Sequence, residues 1–319
     1  TAWLQANPDW VTQTLHQHGA LHVRGFDVMG VDDVELVARA IVPDLQNQYM
    51  GTSPRTALSK SGYVFSASEL PGFYPLPAHC EMSFTAQPPK RIIFSCTVQP
   101  HPYGETPLVD FRAVYRDLPP DMVARWVKKG VKIIRNYSGP NETKKDLMEL
   151  KKWTEIFKTT DKAVVEQMAA KEGFAVEWKA HDRLALVSTH APVRNHPVTG
   201  EPVWFNHAQV FHVDAGHLEY AQVLKFRPNA HNLRYWALAR ALTAWKKLST
   251  KPQDLTMHAT FADGDEIPVA DMRAVFAAIW KNYAINAWHK GDVVIIDNDS
   301  VGHARLPFSG PREVVVAWA

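Results

Sequence analysis

Near its end the chain carries two short apolar runs, GDVVII and VVVAWA, on either side of the polar stretch DNDSVGHARLPFSGPR at residues 297–312. Runs rich in Val and Ile, of strand length and bounded by Gly, Asn and Asp, read as buried β-strands. The polar stretch reads as the loop joining them, with one histidine, His303, followed by Arg305 and Arg312. Strand-like segments also occur early, in ALHVRGF and RIIFSCTV, and again in FAVEW, RLALVSTHAPV and MHATF. Helical spacing is found mainly at the start and in the middle. It marks DWVTQTLHQH stopped by Gly19, DDVELVARAIV ended by Pro43, DKAVVEQMAAKEG with Gly173 as its cap, residues 215–247 around RPNAH, and DMRAVFAAIWKNYA. LVDFRAVYRDL leads into a helical stretch, residues 121–185 are mixed, and INAWHKGDVVIIDND gives strand, turn and strand. This order is not the βαβ alternation of a doubly wound sheet. It fits a double-sheet barrel with a long helical insertion. No linker, repeat or low-complexity tract divides the 319 residues, so a single domain over 1–319 is expected.

Composition narrows the function classes. Hydrophobic residues make up 46% of the chain and charged residues 21%, ample material for a large core. The net charge is +2 and the basic residues are scattered, which gives no footprint for nucleic acid. No apolar run approaches the roughly 20 residues that span a bilayer, so no membrane partner is expected. The start, TAWLQANPDWVTQTL, has neither the basic lead nor the apolar core of a secretory signal. Two cysteines, Cys80 and Cys96, make no disulfide framework, and the reducing cytoplasm is the expected location.

Residues 50–90 are loop-rich, and long irregular segments in compact proteins are usually functional or disordered. The aromatic residues of ELPGFYPLPAHCEMSFTAQPPK point to a packed loop. Within it, HCE places His79 and Glu81 on one face of an extended segment, with Cys80 on the other. A distant histidine would complete a 2-His-1-carboxylate face, which binds non-haem Fe(II) and leaves three positions open. The pattern is weak by itself. Among 15 histidines, an acid two positions later arises about once or twice by chance. This chain has three such pairs: HCE, HVD at His212 and HLE at His217. HLE falls where the chain turns helical, so its two groups do not share a face. HVD is readable as strand and stands as a rival.

Taken together, AHCEMSF, PKRIIFSCTVQPHPYGETPLVD and WHKGDVVIIDNDSVGHARLPFSGPREVVVAWA resemble the TauD/TfdA branch of Fe(II)/2-oxoglutarate-dependent oxygenases, nearest the syringomycin-type amino-acid hydroxylases. HGALHVRGF, KGVKIIRNY and HPVTGEPVWFNHAQVFHV match as well, so the resemblance runs from about residue 10 to the end. It implies a mainly β fold with helices: a double-stranded β-helix (jelly-roll) core with a large, partly helical insertion at about residues 137–285. It implies His79, Glu81 and His303 as ligands of Fe(II), Thr106 of GETP as a hydroxyl touching the 2-oxoglutarate carboxylate, and Arg312 of GPR as the partner of its far carboxylate. Arg305 is the rival anchor, placed by alternation on the side of His303. Taken alone, Arg312 reads equally as a solvated loop residue and Thr106 as a turn residue.

The expected substrate pocket draws on Phe84, Arg135, Asn136, Trp204, Asn206, His207 and Phe211, with Arg305 close to the iron and Arg135 available to a substrate carboxylate. Two departures from the subgroup stand out: Cys80 where Asn is usual, and His207 where Gln is frequent. The implied reaction is hydroxylation of an unactivated C–H bond in a free or carrier-bound amino acid or similar small molecule. It consumes 2-oxoglutarate and O2 and releases succinate and CO2. Glu81 fills the position that halogenating relatives leave to a small residue, so halogenation is not expected. Desaturation or cyclisation, a dioxygenase independent of 2-oxoglutarate, and a non-catalytic metal-binding scaffold are the alternatives.

Overall fold

The computed structural model describes residues 2–26, 28–51, 53–142 and 151–319. The chain opens with α1 (Ala2–Ala6), α2 (Pro8–His18), β1 (Ala20–Val23) and α3 (Val31–Ile41). α2 stops where Gly19 takes a left-handed φ of 80°, a conformation that side chains resist. Four strands follow: β2 (Phe65–Ser66), β3 (Leu76–His79), β4 (Arg91–Val98) and β5 (Leu108–Asp110). Next come α4 (Phe111–Asp117), α5 (Pro120–Lys129), β6 (Val131–Tyr137), α6 (Trp153–Phe157), α7 (Lys162–Lys171), β7 (Ala175–Lys179) and β8 (Arg183–His190). β9 (Val193–Asn195), β10 (Pro202–Trp204), α8 (Ala208–Phe211), α9 (Ala215–Phe226), α10 (Ala230–Ser249) and β11 (Met257–Phe261) continue the middle. α11 (Val269–Lys281), β12 (Tyr283–Ala284), β13 (Val293–Asp297), β14 (Val301–Arg305) and β15 (Glu313–Trp318) close the chain.

Two antiparallel sheets interleave the two ends of the sequence. The larger runs β1-β13-β4-β15-β2 and the smaller β12-β5-β14-β3, the arrangement of a double-stranded β-helix. Central strands of the larger sheet are buried on both faces, which is why they show so little alternation. Ile92, Phe94, Ile296 and Val316 face the main core, while Ile93, Ile295 and Val315 pack under Leu15, Val34 and Val37 of the opening helices. Among the described residues no helix is long and apolar enough to cross a membrane.

A third sheet, β11-β6-β8-β7, and the β9–β10 pair lie between β5 and β13 in sequence. It begins at Val131, ahead of residue 137 where the sequence reading starts the insertion. Other segments also differ from that reading. LVDFRAVYRDL splits into β5 and α4, because Asp110 accepts the Arg112 N–H at 2.8 Å and caps the helix. INAW is not a strand; β12 ends at Ala284 and the chain is irregular as far as β13. HVD is not a strand either, since His212 follows α8 and Asp214 precedes α9. The polar stretch after β13 is more than a loop, because it contains β14.

One carboxyl is buried without a counter-charge. Glu219 of α9 is 1% exposed; its Oε2 accepts from Trp280 Nε1 at 3.0 Å and its Oε1 has no partner among the described residues. Burial pushes it from 4.5 up to about 7. The fold therefore favours the protonated form. Its stability is fullest below the unfolded value and is lost as pH rises toward about 7, by about 3 kcal/mol. Glu219→Gln is expected to flatten the stability profile between about pH 5 and 8 in urea melts, with the gain at the alkaline end. An unchanged slope would rule this assignment out.

Candidate active site

β3 and β14 bring two histidines together. His79 lies directly opposite His303 in the antiparallel register, with ring centroids 4.6 Å apart. Gly302 permits that approach: a Cβ there would stand 2.8 Å from the His79 carbonyl group and 2.3 Å from Phe111 Cε2. Glu81 follows β3 in a turn whose next residue, Met82, has a left-handed φ of 51°. Asn298, rather than strand alternation, fixes it. The Asn298 Oδ1 accepts the Glu81 N–H at 2.7 Å, and its Nδ2 donates to the carbonyls of Glu81 and Pro89 at 3.0 and 2.7 Å. One ligand-type atom from each of His79, Glu81 and His303 lies within 4.8 Å of the others.

The electrostatics suit a metal. His79 Nδ1–H donates to the Pro77 carbonyl at 2.8 Å, which leaves the Nε2 lone pair free. His303 Nε2 is 3.6 Å from Glu81 Oε2, and its ring rests edge-on against Phe94. Burial lowers the pKa of both imidazoles, that of His303 well below 6.5, so both are neutral ligands at neutral pH. Burial would raise Glu81, but the Arg55 guanidinium, then His303 and His79, outweigh it and hold it at about 2. Arg55 Nη2 donates to Glu81 Oε2 at 2.7 Å and lies over the Tyr49 ring. Sequence reasoning missed Arg55, because SPRTALSK has no period or motif to mark it. Two neutral imidazoles and one carboxylate are the donors of an Fe(II) facial triad, so the residues present fit that ion.

A second polar group stands in the same cavity. Arg312 donates from Nε to the Gly104 carbonyl at 2.9 Å and from Nη2 to Thr106 Oγ1 at 3.0 Å. Trp288 Nε1 also donates to Thr106 Oγ1, at 2.9 Å. With both acceptor positions filled by groups that only donate, the Thr106 hydroxyl keeps its own proton to give. Arg312 makes no ion pair among the described residues, and burial, reinforced by Arg305, lowers it to about 9. It is a cation short of an anion. Arg305 is engaged elsewhere: it donates to the carbonyls of Leu70, Pro71 and Tyr74 at 2.9, 2.8 and 2.7 Å.

The cavity holds about 560 Å³ and contains His79, Glu81, His303, Thr106 and Arg312 in its walls. Its remaining surface is largely apolar, with Phe73, Leu76, Val210, Tyr235, Leu238 and Leu242 prominent. Phe84, His207 and Arg305 line it as well. His207 Nδ1 is paired with Ser83 Oγ at 2.7 Å and its ring is 4.9 Å from that of His79.

The family model for the taurine catabolism dioxygenase TauD, TfdA family matches residues 1–318. The chain belongs to the TauD/TfdA family. Its chemistry is that of an Fe(II)- and 2-oxoglutarate-dependent oxygenase, which uses O2 to oxidise a small substrate. Similar proteins include the clavaminate synthase-like protein of Arabidopsis thaliana, 27% identical over 99% of this chain and 86% of that protein. The dapdiamide synthesis protein DdaC of Enterobacter agglomerans is 27% identical over 96% of this chain and 84% of its own. In fold, the chain is similar to a taurine dioxygenase from Burkholderia xenovorans, with a TM-score of 0.51 at 13% identity over 98% of this chain and 79% of that one. PvcB from Pseudomonas aeruginosa gives a TM-score of 0.50 at 12% identity, over 99% and 80% of the respective chains.

Within this TauD/TfdA enzyme, four residues read from the sequence as pocket walls lie outside the cavity: Arg135, Asn136, Asn206 and Trp204, which packs against Trp126. Buried polar groups need partners, and the nearest were backbone groups. Arg135 donates to the Met50 carbonyl at 2.7 Å and lies against the rings of both Phe84 and Phe174. Asn136 donates to the carbonyls of Gln253 and Leu255, and Asn206 to that of Pro192 while accepting the Ala208 N–H. The rival histidine, His212, lies near His258 and Glu266. His212 Nδ1 accepts from the Asp214 N–H and His258 Nδ1 from the Val213 N–H, so both Nε2 atoms carry protons, and His258 gives its own to Glu266. That cluster is a hydrogen-bonded support.

Arg305 straps the cavity rim. Three bonds from a charged donor contribute about 5 kcal/mol or more together. Arg305→Ala is expected to speed amide exchange in residues 70–77 and lower the melting temperature, with little change in 2-oxoglutarate dependence. A large loss of 2-oxoglutarate affinity at unchanged exchange would instead make Arg305 the anchor.

Proposed function

We propose that the chain hydroxylates an unactivated C–H bond of a small molecule with a largely apolar body, presented free or on a carrier protein. His79, Glu81 and His303 hold Fe(II), and Arg312 with Thr106 holds 2-oxoglutarate. The observation that carries this reading is the shared cavity: a guanidinium with no ion pair among the described residues and a donating hydroxyl stand in one space with two imidazoles and a carboxylate. When bound, iron and 2-oxoglutarate supply O2 activation, with release of succinate and CO2 and transfer of one oxygen atom to the substrate.

The chain's own groups set position and polarity. The planar Arg312 fork meets a carboxylate with two parallel bonds, and Thr106 adds a third from its free proton. Asn298 keeps Glu81 from turning away from the histidines. Arg55 balances the Glu81 charge where water is scarce. The apolar walls exclude solvent and seat the substrate.

The substrate reading departs from a small zwitterion. Asn136, Asn206 and Arg135, which would have recognised one, are bonded to backbone outside the cavity. The polar groups left in the walls include His207, Ser53, Ser68 and the hydroxyls of Tyr49, Tyr74, Tyr220 and Tyr235, against a larger apolar surface. An amino acid with a large apolar side chain, or an apolar acyl or aromatic molecule with one polar head, suits these walls. The first of these keeps the link to the syringomycin-type subgroup, supported by the matching segments around His79 and His303. A panel of polar amino acids, apolar amino acids and apolar acids would be assayed with Fe(II), 2-oxoglutarate and O2 for succinate and for product mass. Apolar members should stimulate succinate release and gain one oxygen atom. Stimulation by polar amino acids alone would overturn the apolar reading, and a product lighter by two hydrogens would replace hydroxylation with desaturation or cyclisation.

A further inference from the structure

α10 carries apolar side chains on both of its faces: Tyr235, Ala239 and Leu242 are half-buried against the cavity. The helix's buried side chains are the polar Asn232 and Thr243, whereas Leu233, Leu238, Trp245 and Leu248 are 51, 53, 61 and 89% exposed. With 3.6 residues per turn, Leu233, Ala237, Ala241, Ala244 and Leu248 form one stripe, with Leu238 and Trp245 along its edge. A surface helix ordinarily turns such a stripe toward the core.

Charge identifies what fits this face. From Tyr220 to Lys251 the sequence contains no Asp or Glu. Arg227 and Lys247 are paired with Glu105 and Asp214. Arg234 and Arg240 are exposed and make no ion pair among the described residues. Self-pairing of α10 with a second copy would bring these arginines no carboxylate, because the helix carries none. A bilayer-inserting face would keep cations out of the apolar stripe, yet Arg234 lies within it. The complementary surface is an apolar helical face edged with carboxylates.

Position says what such a partner would do. Tyr235, Leu238, Ala239 and Leu242 of the same helix line the cavity that holds the histidines and Glu81. Leu238 belongs to both the exposed face and the cavity wall, so a partner on α10 stands at the mouth. We propose that α10 is the docking surface for an acidic, helical carrier protein that presents its covalently held substrate to this cavity. The proposal rests on reading the cavity as the substrate pocket and names the form in which the substrate arrives.

The test uses the full chain loaded with Fe(II) and 2-oxoglutarate, and a fluorescently labelled holo acyl carrier protein, an acidic helical protein, as the probe. Anisotropy should show saturable binding, weakened at least about tenfold by about 0.5 M salt. Leu248→Glu and the pair Arg234→Glu with Arg240→Glu should each weaken it at least about tenfold, with substrate-independent 2-oxoglutarate decarboxylation unchanged. No binding by the wild type, or equal binding by the variants, would overturn the proposal. A dimer in sedimentation that Leu248→Glu dissolves would assign the face to a second copy. Flotation with phosphatidylglycerol vesicles that Leu248→Glu abolishes, without carrier binding, would assign it to a membrane. Loss of decarboxylation from every protein, with carrier binding intact, would sink the reading of the cavity and leave the docking surface standing.

Discussion

Arg312→Ala is expected to raise the 2-oxoglutarate concentration needed for half-maximal succinate release by about 100-fold, while Fe(II) affinity changes by less than about threefold. The size follows from losing a two-bond, charge-assisted pair worth about 3 kcal/mol, at 1.4 kcal/mol for each tenfold. The selectivity follows from the hydrogen bonds, because Arg312 donates to Gly104 and Thr106 and to none of His79, Glu81 and His303. Arg312→Lys keeps the charge but loses the fork, so it should recover only part of the loss. Succinate release against 2-oxoglutarate concentration, with iron binding measured separately, checks both halves. An unchanged requirement would remove Arg312 from the site.

The second large effect separates metal binding from folding. His303→Ala is expected to lower Fe(II) affinity by more than about 100-fold and abolish turnover, since even outer partners of metal ligands cost tenfold to 100-fold. Among the described residues His303 Nδ1 has no hydrogen bond to lose, and its Nε2 is 3.6 Å from Glu81, so the hydrogen bonds of the fold are left intact. Glu81→Ala should remove iron binding too, but it also strands the Arg55 guanidinium, whose Nη2 donates to Glu81 Oε2. An uncompensated buried charge costs about 3–5 kcal/mol. Glu81→Ala should therefore melt well below His303→Ala, and adding Arg55→Met should restore stability without restoring turnover. Equal melting temperatures for the two single variants would contradict the Arg55 account. The same ion pair sets the acid limb of stability: with Glu81 held at about 2, its contribution is complete above 4.5 and is lost as pH falls toward the lower value.

Much of this was legible in the residues. Val- and Ile-rich β4, β13 and β15 announced themselves because strands buried on both faces need such side chains. The amphipathic helices were equally plain. β3 was hidden by Pro75 and Pro77 and by its length of four residues; it lies at the edge of its sheet, where proline is tolerated. β14, VGHAR, looked like loop because its composition serves the close approach at Gly302 and the cavity, not a hydrophobic face. The spacing of His79 and Glu81 marked a metal pair, but the Asn298 clamp that positions Glu81 is a tertiary contact across more than 200 residues and leaves no local trace. Asn136 and Asn206 were read as pocket residues because a polar group beside aromatics signals either a ligand contact or a backbone cap. Only the packed structure distinguishes the two. A similar ambiguity surrounded Arg305 and Arg312: both have the chemistry of an anion anchor, but three backbone carbonyls take up the first, whereas the second, bonded to Gly104 and Thr106, has no counter-ion among the described residues.

The measurement that bears most directly on the central claim is an anaerobic titration of the metal-free protein with Fe(II) and then 2-oxoglutarate, followed in the visible spectrum. Chelation of 2-oxoglutarate at a facial-triad iron should produce a weak charge-transfer band at about 500 nm that saturates with one equivalent of each. Wild-type protein should show it, Arg312→Ala should require much more 2-oxoglutarate to reach it, and His303→Ala should not show it at all. Iron bound tightly by the wild type with no band at any 2-oxoglutarate concentration would contradict the account.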